Sequence, residues 1–247
     1  MQPHLQEEMA LHLSMKTVSA VHPTSCLNHN PDMNQSLSFL FSLSILPAAI
    51  LGVIRFKEIN KSYYPFIYLC WLAVLAEVVS YMANRASLPT QLPSNVYVLA
   101  EALLLVWQFR LWGSFERRPR MYPILLVGFV LFGIVDNLIV GIHNTSSYSR
   151  IGFSLALVIL AIDQINRMIV RERKSFLKNA KFLICIAIII FFSYKIAIEA
   201  FYLYAISQES SSTFVRNIFT IQKYVNLLAN LIYAYAVLWI PRKKNFT

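Results

Sequence analysis

Long apolar blocks separated by short polar breaks make up most of this chain. A helix needs roughly 20 mostly apolar residues to cross the hydrocarbon core of a bilayer. Runs of that kind cover 36–55, 64–84, 94–114, 121–142, 150–170, 182–206 and 214–240. They do not alternate with the two-residue period of a strand, and they exceed the ~10-residue segments of a membrane barrel. The expected fold class is all-α: a polytopic bundle of seven transmembrane helices. The third run is the weakest, because Glu101, Gln108 and Arg110 dilute it. Residues 1–35 are polar and irregular and lack the continuous apolar stretch of a signal peptide. They are expected to form a disordered external tail; a translation start at Met33 would fall immediately before the first run. The bundle then occupies 36–240, and 241–247 form a short basic tail.

Composition supports the membrane reading. The chain is 57% hydrophobic and 14% charged, against about 25% charged in soluble domains, and its mean hydropathy is +0.54. A net charge of +10 would suggest nucleic acid for a soluble protein. Here the basic residues crowd alternate loops, so no nucleic-acid partner is expected. Arg55, Lys57 and Lys61 follow the first run, and Arg117, Arg118 and Arg120 the third. Arg171, Arg173, Lys174, Lys178 and Lys181 follow the fifth, and Arg242, Lys243 and Lys244 close the chain. Lys16, Arg85, Arg150 and Arg216 fall on the other side. The positive-inside rule then puts the amino terminus outside and the carboxyl terminus inside. An odd number of spans demands the same. The expected partner is the lipid bilayer, and the expected location is the cell membrane.

Ionisable residues inside spans are costly and are functional-site candidates by default. Glu77 lies in the outer half of the second run, and Glu101 near the outer start of the third. Tyr97, Glu101 and Gln108 share a helix face. Asp136 and Asn137 lie near the outer end of the fourth run. Lys195, Glu199 and Tyr202 share a face of the sixth, as do Lys223, Asn226, Asn230 and Tyr233 of the seventh. Lipid cannot solvate these groups, so they are expected to turn inward and pair around an externally facing polar cavity. Glu77, Glu101, Asp136 and Glu199 against Lys195 and Lys223 leave an acidic surplus, which a small polar or cationic ligand would offset. The bland alternative is that Lys195 and Glu199 form an internal pair that fixes helix packing. At the inner side, Asp163 and Arg167 are spaced i,i+4. With Arg171, Arg173 and Lys174 they mark either an orienting, lipid-attracting basic run or a docking surface for a cytoplasmic signalling partner.

Known chemistries find little support. Cys26, Cys70 and Cys185 have no disulfide or metal spacing. His4, His12, His22 and His29 in the tail match no zinc pattern, and the remaining His143 is in an external loop. That removes the zinc amidases that bind metal through intramembrane histidines. A retinal protein needs a lysine near the middle of the seventh helix; Lys223 lies in its outer part and Lys195 is on the sixth. No Gly-x-Ser-x-Gly elbow, P-loop or dinucleotide fingerprint occurs. No catalytic residue, metal or cofactor is assigned; a hydrolase using paired intramembrane carboxylates is the enzymatic reading left open, and no motif carries it.

The segments "NVYVLAEALLLVWQFRLW" (95–112) and "YVNLLANLIYAYAVLWIPRK" (224–243) carry one resemblance. With Asn95, Tyr97 and Glu101 in the first and Asn226 and Asn230 in the second, the chain over 36–242 resembles small, uncharacterised seven-helix integral membrane proteins of the Bacteroidetes type. That resemblance implies a bacterial inner-membrane location and brings no activity with it. At the level of fold it also resembles the seven-helix sensory input modules of bacterial histidine kinases. The expected function is that of a receptor-like or sensory module with an external polar cavity. The alternative is a transporter or proton-coupled permeation protein that uses the intramembrane carboxylates.

Overall fold

The computed structural model describes residues 41, 43–86, 88–140, 146–171, 178–207 and 212–243. The tail expected over 1–35 lies outside them. Among the described residues the chain forms seven α-helices and no strand: α1 (Leu46–Arg55), α2 (Tyr64–Arg85), α3 (Gln91–Leu111), α4 (Met121–Val140), α5 (Ser147–Arg171), α6 (Ala180–Ser207) and α7 (Ser212–Leu238). Short 3₁₀ turns, Leu43–Ile45 and Lys61–Tyr63, lead into α1 and α2. Each helix falls on one expected apolar run; α1 covers only the second half of its run, and the ends of α2 to α7 differ from theirs by a few residues. α3 starts at Gln91, ahead of Pro93, because proline is tolerated in a first turn where its missing N–H is not needed. It stops before Gly113, whose φ of 85° lies in the left-handed region that favours glycine.

Among the described residues, five helical stretches are long and apolar enough to cross a membrane: Lys61–Arg85, Gln91–Leu111, Met121–Ile139, Ser147–Val170 and Ala180–Tyr204. They mark a multi-pass membrane protein. The first and seventh expected spans are not among them. Of the first, 36–55, the described part Leu43–Arg55 is a shorter apolar helix, and 36–40 and 42 lie outside the described residues. α7 falls outside the five because Gln222, Lys223, Asn226 and Asn230 make it more polar.

Consecutive helices run antiparallel, so the bundle has two ends. α3 and α5 begin at the upper end; α2 and α6 begin at the lower. α1 packs on both α2 and α7, closing a ring of α1, α2, α3, α5, α6 and α7. α4 stands outside it against α3 and α5. Gly152 allows the α4–α5 approach: a Cβ there would lie 2.6 Å from the Phe132 ring. The outward surface is apolar, with Ile54, Met82, Leu138, Ile139 and Val170 exposed. Soluble monomers rarely show so much exposed apolar surface, whereas a lipid-facing helix must.

The lower half holds most of the large, fully buried apolar side chains. Phe66, Ile67, Leu105, Val106, Phe109, Ile184, Ile188 and Val237 are fully buried there. Its polar contacts serve helix ends, whose first N–H and last C=O groups lack helical partners. The buried Gln108 amide on α3 accepts from the Phe66 N–H at 2.9 Å and donates to the Ser62 carbonyl, securing the start of α2. Arg55 donates to the carbonyls of Val237, Leu238 (2.7 Å) and Ile240 (3.1 Å), closing α7. The segment after α7 then pairs with the α1–α2 loop: Asn60 N–H donates to Pro241, Lys243 N–H donates to Glu58, and Arg242 meets the Glu58 carboxylate at 3.2 Å.

Candidate functional site

Among the described residues, three polar contacts tie α3, α4, α5 and α6 together in the upper half. The first lies deepest. Lys195 Nζ on α6 meets Glu101 Oε2 on α3 at 3.0 Å, and both side chains are 8% exposed. Tyr97, one turn before Glu101, donates its hydroxyl to Glu101 Oε1 at 3.2 Å. The rings of Phe191 and Phe192 stand 5.6 and 5.2 Å from the ammonium, close enough for cation–π attraction.

The second contact sits one turn higher on α6. Glu199 Oε1 is 3.5 Å from Arg150 of α5. The same guanidinium donates to Ser94 Oγ at 2.8 Å and to Asn95 Oδ1 at 3.1 Å, so it ties α3, α5 and α6. Asn95 in turn donates to Asn137 Oδ1 on α4 at 2.8 Å, an oxygen that also accepts from Ser146. The third contact is Asp136 on α4, which accepts from the Ser149 N–H at 2.8 Å. That amide belongs to the first turn of α5, where free N–H groups and the helix dipole favour a carboxylate.

These contacts revise the charge arrangement expected from the sequence. Lys195 and Glu199 do not pair with each other; each reaches a different helix. Arg150, counted among external loop residues, is a half-buried cation opposite Glu199, and it takes the place of Lys223 in the charge balance, so four carboxylates still face two cations. Lys223 is exposed, as are its neighbours Ile221 and Tyr224, and it stands apart from the cluster. Arg150 is the principal functional candidate that the sequence reading missed. Its signal was present: Arg150, Ser154, Leu157, Ala161, Gln164 and Met168 follow the helical period, and all but the half-buried Arg150 are buried.

A cavity of about 50 Å³ opens beside the Glu101–Lys195 pair. Its polar wall is Glu77 on α2, Tyr97 and Glu101 on α3, and Asn226, Asn230 and Tyr233 on α7. Asn230 donates to Ser44 Oγ at 2.8 Å, tying α7 to the lead-in of α1. One water needs about 10–15 Å³ on this measure, so the space suits a few waters or one small ion. Drug-sized ligands occupy 300–1,000 Å³ pockets. Among the described residues, no group of three or more His, Cys, Asp or Glu could hold a metal ion.

At the lower end Asp163 and Arg167 form a 2.8 Å ion pair. Arg167 also donates to the Gly113 carbonyl at 3.0 Å, and Ser114 donates to Gln164 at 2.8 Å. The pair thus secures the turn that ends α3. Arg171 is the last residue of α5; its side chain, Arg173 and Lys174 lie outside the described residues.

Comparison of the chain with protein-family models, curated proteins and solved structures gives no match. The class defined here is therefore a multi-pass, all-helical membrane protein with a charged, hydrogen-bonded upper half.

Proposed function

We propose that the chain is a seven-helix, receptor-like membrane protein, amino terminus outside and carboxyl terminus inside, whose upper cavity takes a small monovalent cation or small cationic amine. The observation that carries this reading is the cavity wall: two carboxylates, two amides and two phenol hydroxyls around about 50 Å³. Carboxylate, amide and hydroxyl oxygens suit hard cations, and the volume excludes larger ligands. Orientation is supported by charge. Arg55, Lys57, Arg117, Arg118, Arg120 and Lys178 gather at the lower end, as cytoplasmic loops require. A ligand at Glu101 and Glu77 would alter the terms on which Lys195 is held, and so bias α6 against α3. An effect on the lower end requires only that two arrangements bind it with different affinity. A cytoplasmic partner would read that bias at the basic loops.

Transport needs polar continuity through the bundle. Phe66, Leu105, Val106, Phe109, Ile184 and Ile188 instead fill the space below the cavity, all fully buried. That packing favours the receptor reading over permeation. The test uses protein in nanodiscs at constant ionic strength, with sodium, potassium, ammonium and methylammonium against bulky N-methylglucamine. At ten times Kd, a cation bound only to the folded state should raise Tm by about 3–6 °C. Glu77→Gln should remove the shift. No shift with any of these cations would sink the proposal, and proteoliposome flux lost in Glu199→Gln would replace it with transport.

A further inference from the structure

Between α3 and α4 lies an open groove of about 670 Å³. Its lining is apolar, from Ala100, Leu103 and Trp107 on one side to Tyr122, Leu126 and Val130 on the other. Both helices belong to the five of membrane length, so the groove faces hydrocarbon. From Tyr122 to Leu131 it runs nine residues, about 13 Å at 1.5 Å per residue. The hydrocarbon of one leaflet is about 15 Å deep, half of the ~30 Å core. The groove therefore spans one leaflet, beginning at the lower end.

Charge gathers at its mouth. The Arg110 guanidinium lies 4.3 Å from the centre of the Tyr122 ring, and Arg110 is exposed. The loop from α3 to α4 adds Arg117, Arg118 and Arg120, all exposed, against a single acid, Glu116. Guanidinium groups bind phosphate through paired N–H donors. We infer that the groove seats one acyl chain of an anionic phospholipid, with the lipid phosphate held by Arg110 and the loop arginines. A neutral lipid would fill the groove equally well but leave the arginines uncompensated. This site is separate from the upper cavity and stands whatever that cavity binds.

The test is native mass spectrometry of the full chain released from mixed micelles holding equal phosphatidylglycerol and phosphatidylcholine. Phosphatidylglycerol should be retained preferentially, with about a fivefold loss for each arginine neutralised at the mouth. Arg110→Gln and Arg118→Gln probe the phosphate, and Ala100→Phe fills the groove. Arg85→Gln, at the upper end, should change nothing. Because Ala100→Phe could disturb the α3–α4 contact, bromine quenching supplies a second measurement on an unfilled groove. Trp107 is 38% exposed, and acyl-brominated phosphatidylglycerol should quench it more than brominated phosphatidylcholine in a chain whose other tryptophans are phenylalanine. Equal retention of the two lipids, retention unaffected by Arg110→Gln, or a dimer that buries this face in place of lipid would each overturn the assignment.

Discussion

Replacing Lys195 by methionine tests the buried pair most directly. At 3.0 Å, the attraction between unit charges is about 5–6 kcal/mol at an effective dielectric of about 20. Each ion has also lost several kcal/mol of hydration. The intact pair therefore contributes little net stability, while breaking it is expensive. Lys195→Met leaves the Glu101 carboxylate 8% exposed, with the Tyr97 hydroxyl still bonded to it. The expected loss is about 3–5 kcal/mol, or roughly 6–20 °C in Tm by the scaling for chains of 150–250 residues. The double variant Lys195→Met/Glu101→Leu should recover most of that, since two apolar side chains replace a pair that barely breaks even. Lys223→Met is the control, and an exposed lysine should move Tm by no more than about 2 °C.

The chain provides its own reporter for these melts. Cys70 and Cys185 are buried free thiols, so a thiol-reactive dye lights up as the bundle opens, in a Cys26→Ser background. Coupling measured by double-mutant cycle should be large between Lys195 and Glu101 and smaller between Lys195 and Glu199. If Lys195→Met melts within 2 °C of the parent, or the double variant is no more stable than the single, the buried pair is refuted. If coupling to Glu199 exceeds coupling to Glu101, the sixth helix is rotated from the position described.

Two further predictions follow from the helix-spanning contacts. Arg150→Met removes a guanidinium that serves Glu199, Ser94 and Asn95; a loss of about 2–4 kcal/mol is expected, and Glu199→Met in the same chain should restore part of it in the dye melt. Gln108→Leu leaves the Phe66 N–H and the Ser62 carbonyl without their partner, at about 1–3 kcal/mol per buried group; faster hydrogen exchange at the start of α2, with the end of α5 unchanged, is the local signature.

Helix positions were legible because bilayer thickness imposes a length that no other fold demands. Neighbours were not, because a helical period fixes a face and says nothing of what packs on it. Lys195 and Glu199 share a face, yet α3 meets the first and α5 the second. Lys223 and Asn230 lie on the same stripe of α7; Asn230 is buried against Ser44 while Lys223 is exposed. Arg150 was hidden for a different reason. Charge counting assigns every arginine near a helix end to a loop, whereas the stripe through Ser154 and Leu157 runs straight up to it.

The placement of polar groups along the bundle has a mechanical consequence. In the lower half, Gln108, Arg55 and Arg167 bond chiefly to backbone at helix ends, and packed apolar side chains fill the space between helices. Close-packed interiors resist small displacements. In the upper half, the links between helices are made by side chains, and side chains can exchange partners without breaking helical backbone. α6 carries two of those links one turn apart, Lys195 to α3 and Glu199 to α5. A change of partner at Lys195 alone would leave Glu199 anchored, so α6 would turn about its α5 contact instead of separating from the bundle. Motion of that kind reaches the lower end only as a tilt of α6 against its neighbours α5 and α7. A ligand at Glu101 and a substitution at Lys195 should therefore alter the same lower-end readout, while Arg150→Met, which frees the anchor, should uncouple it.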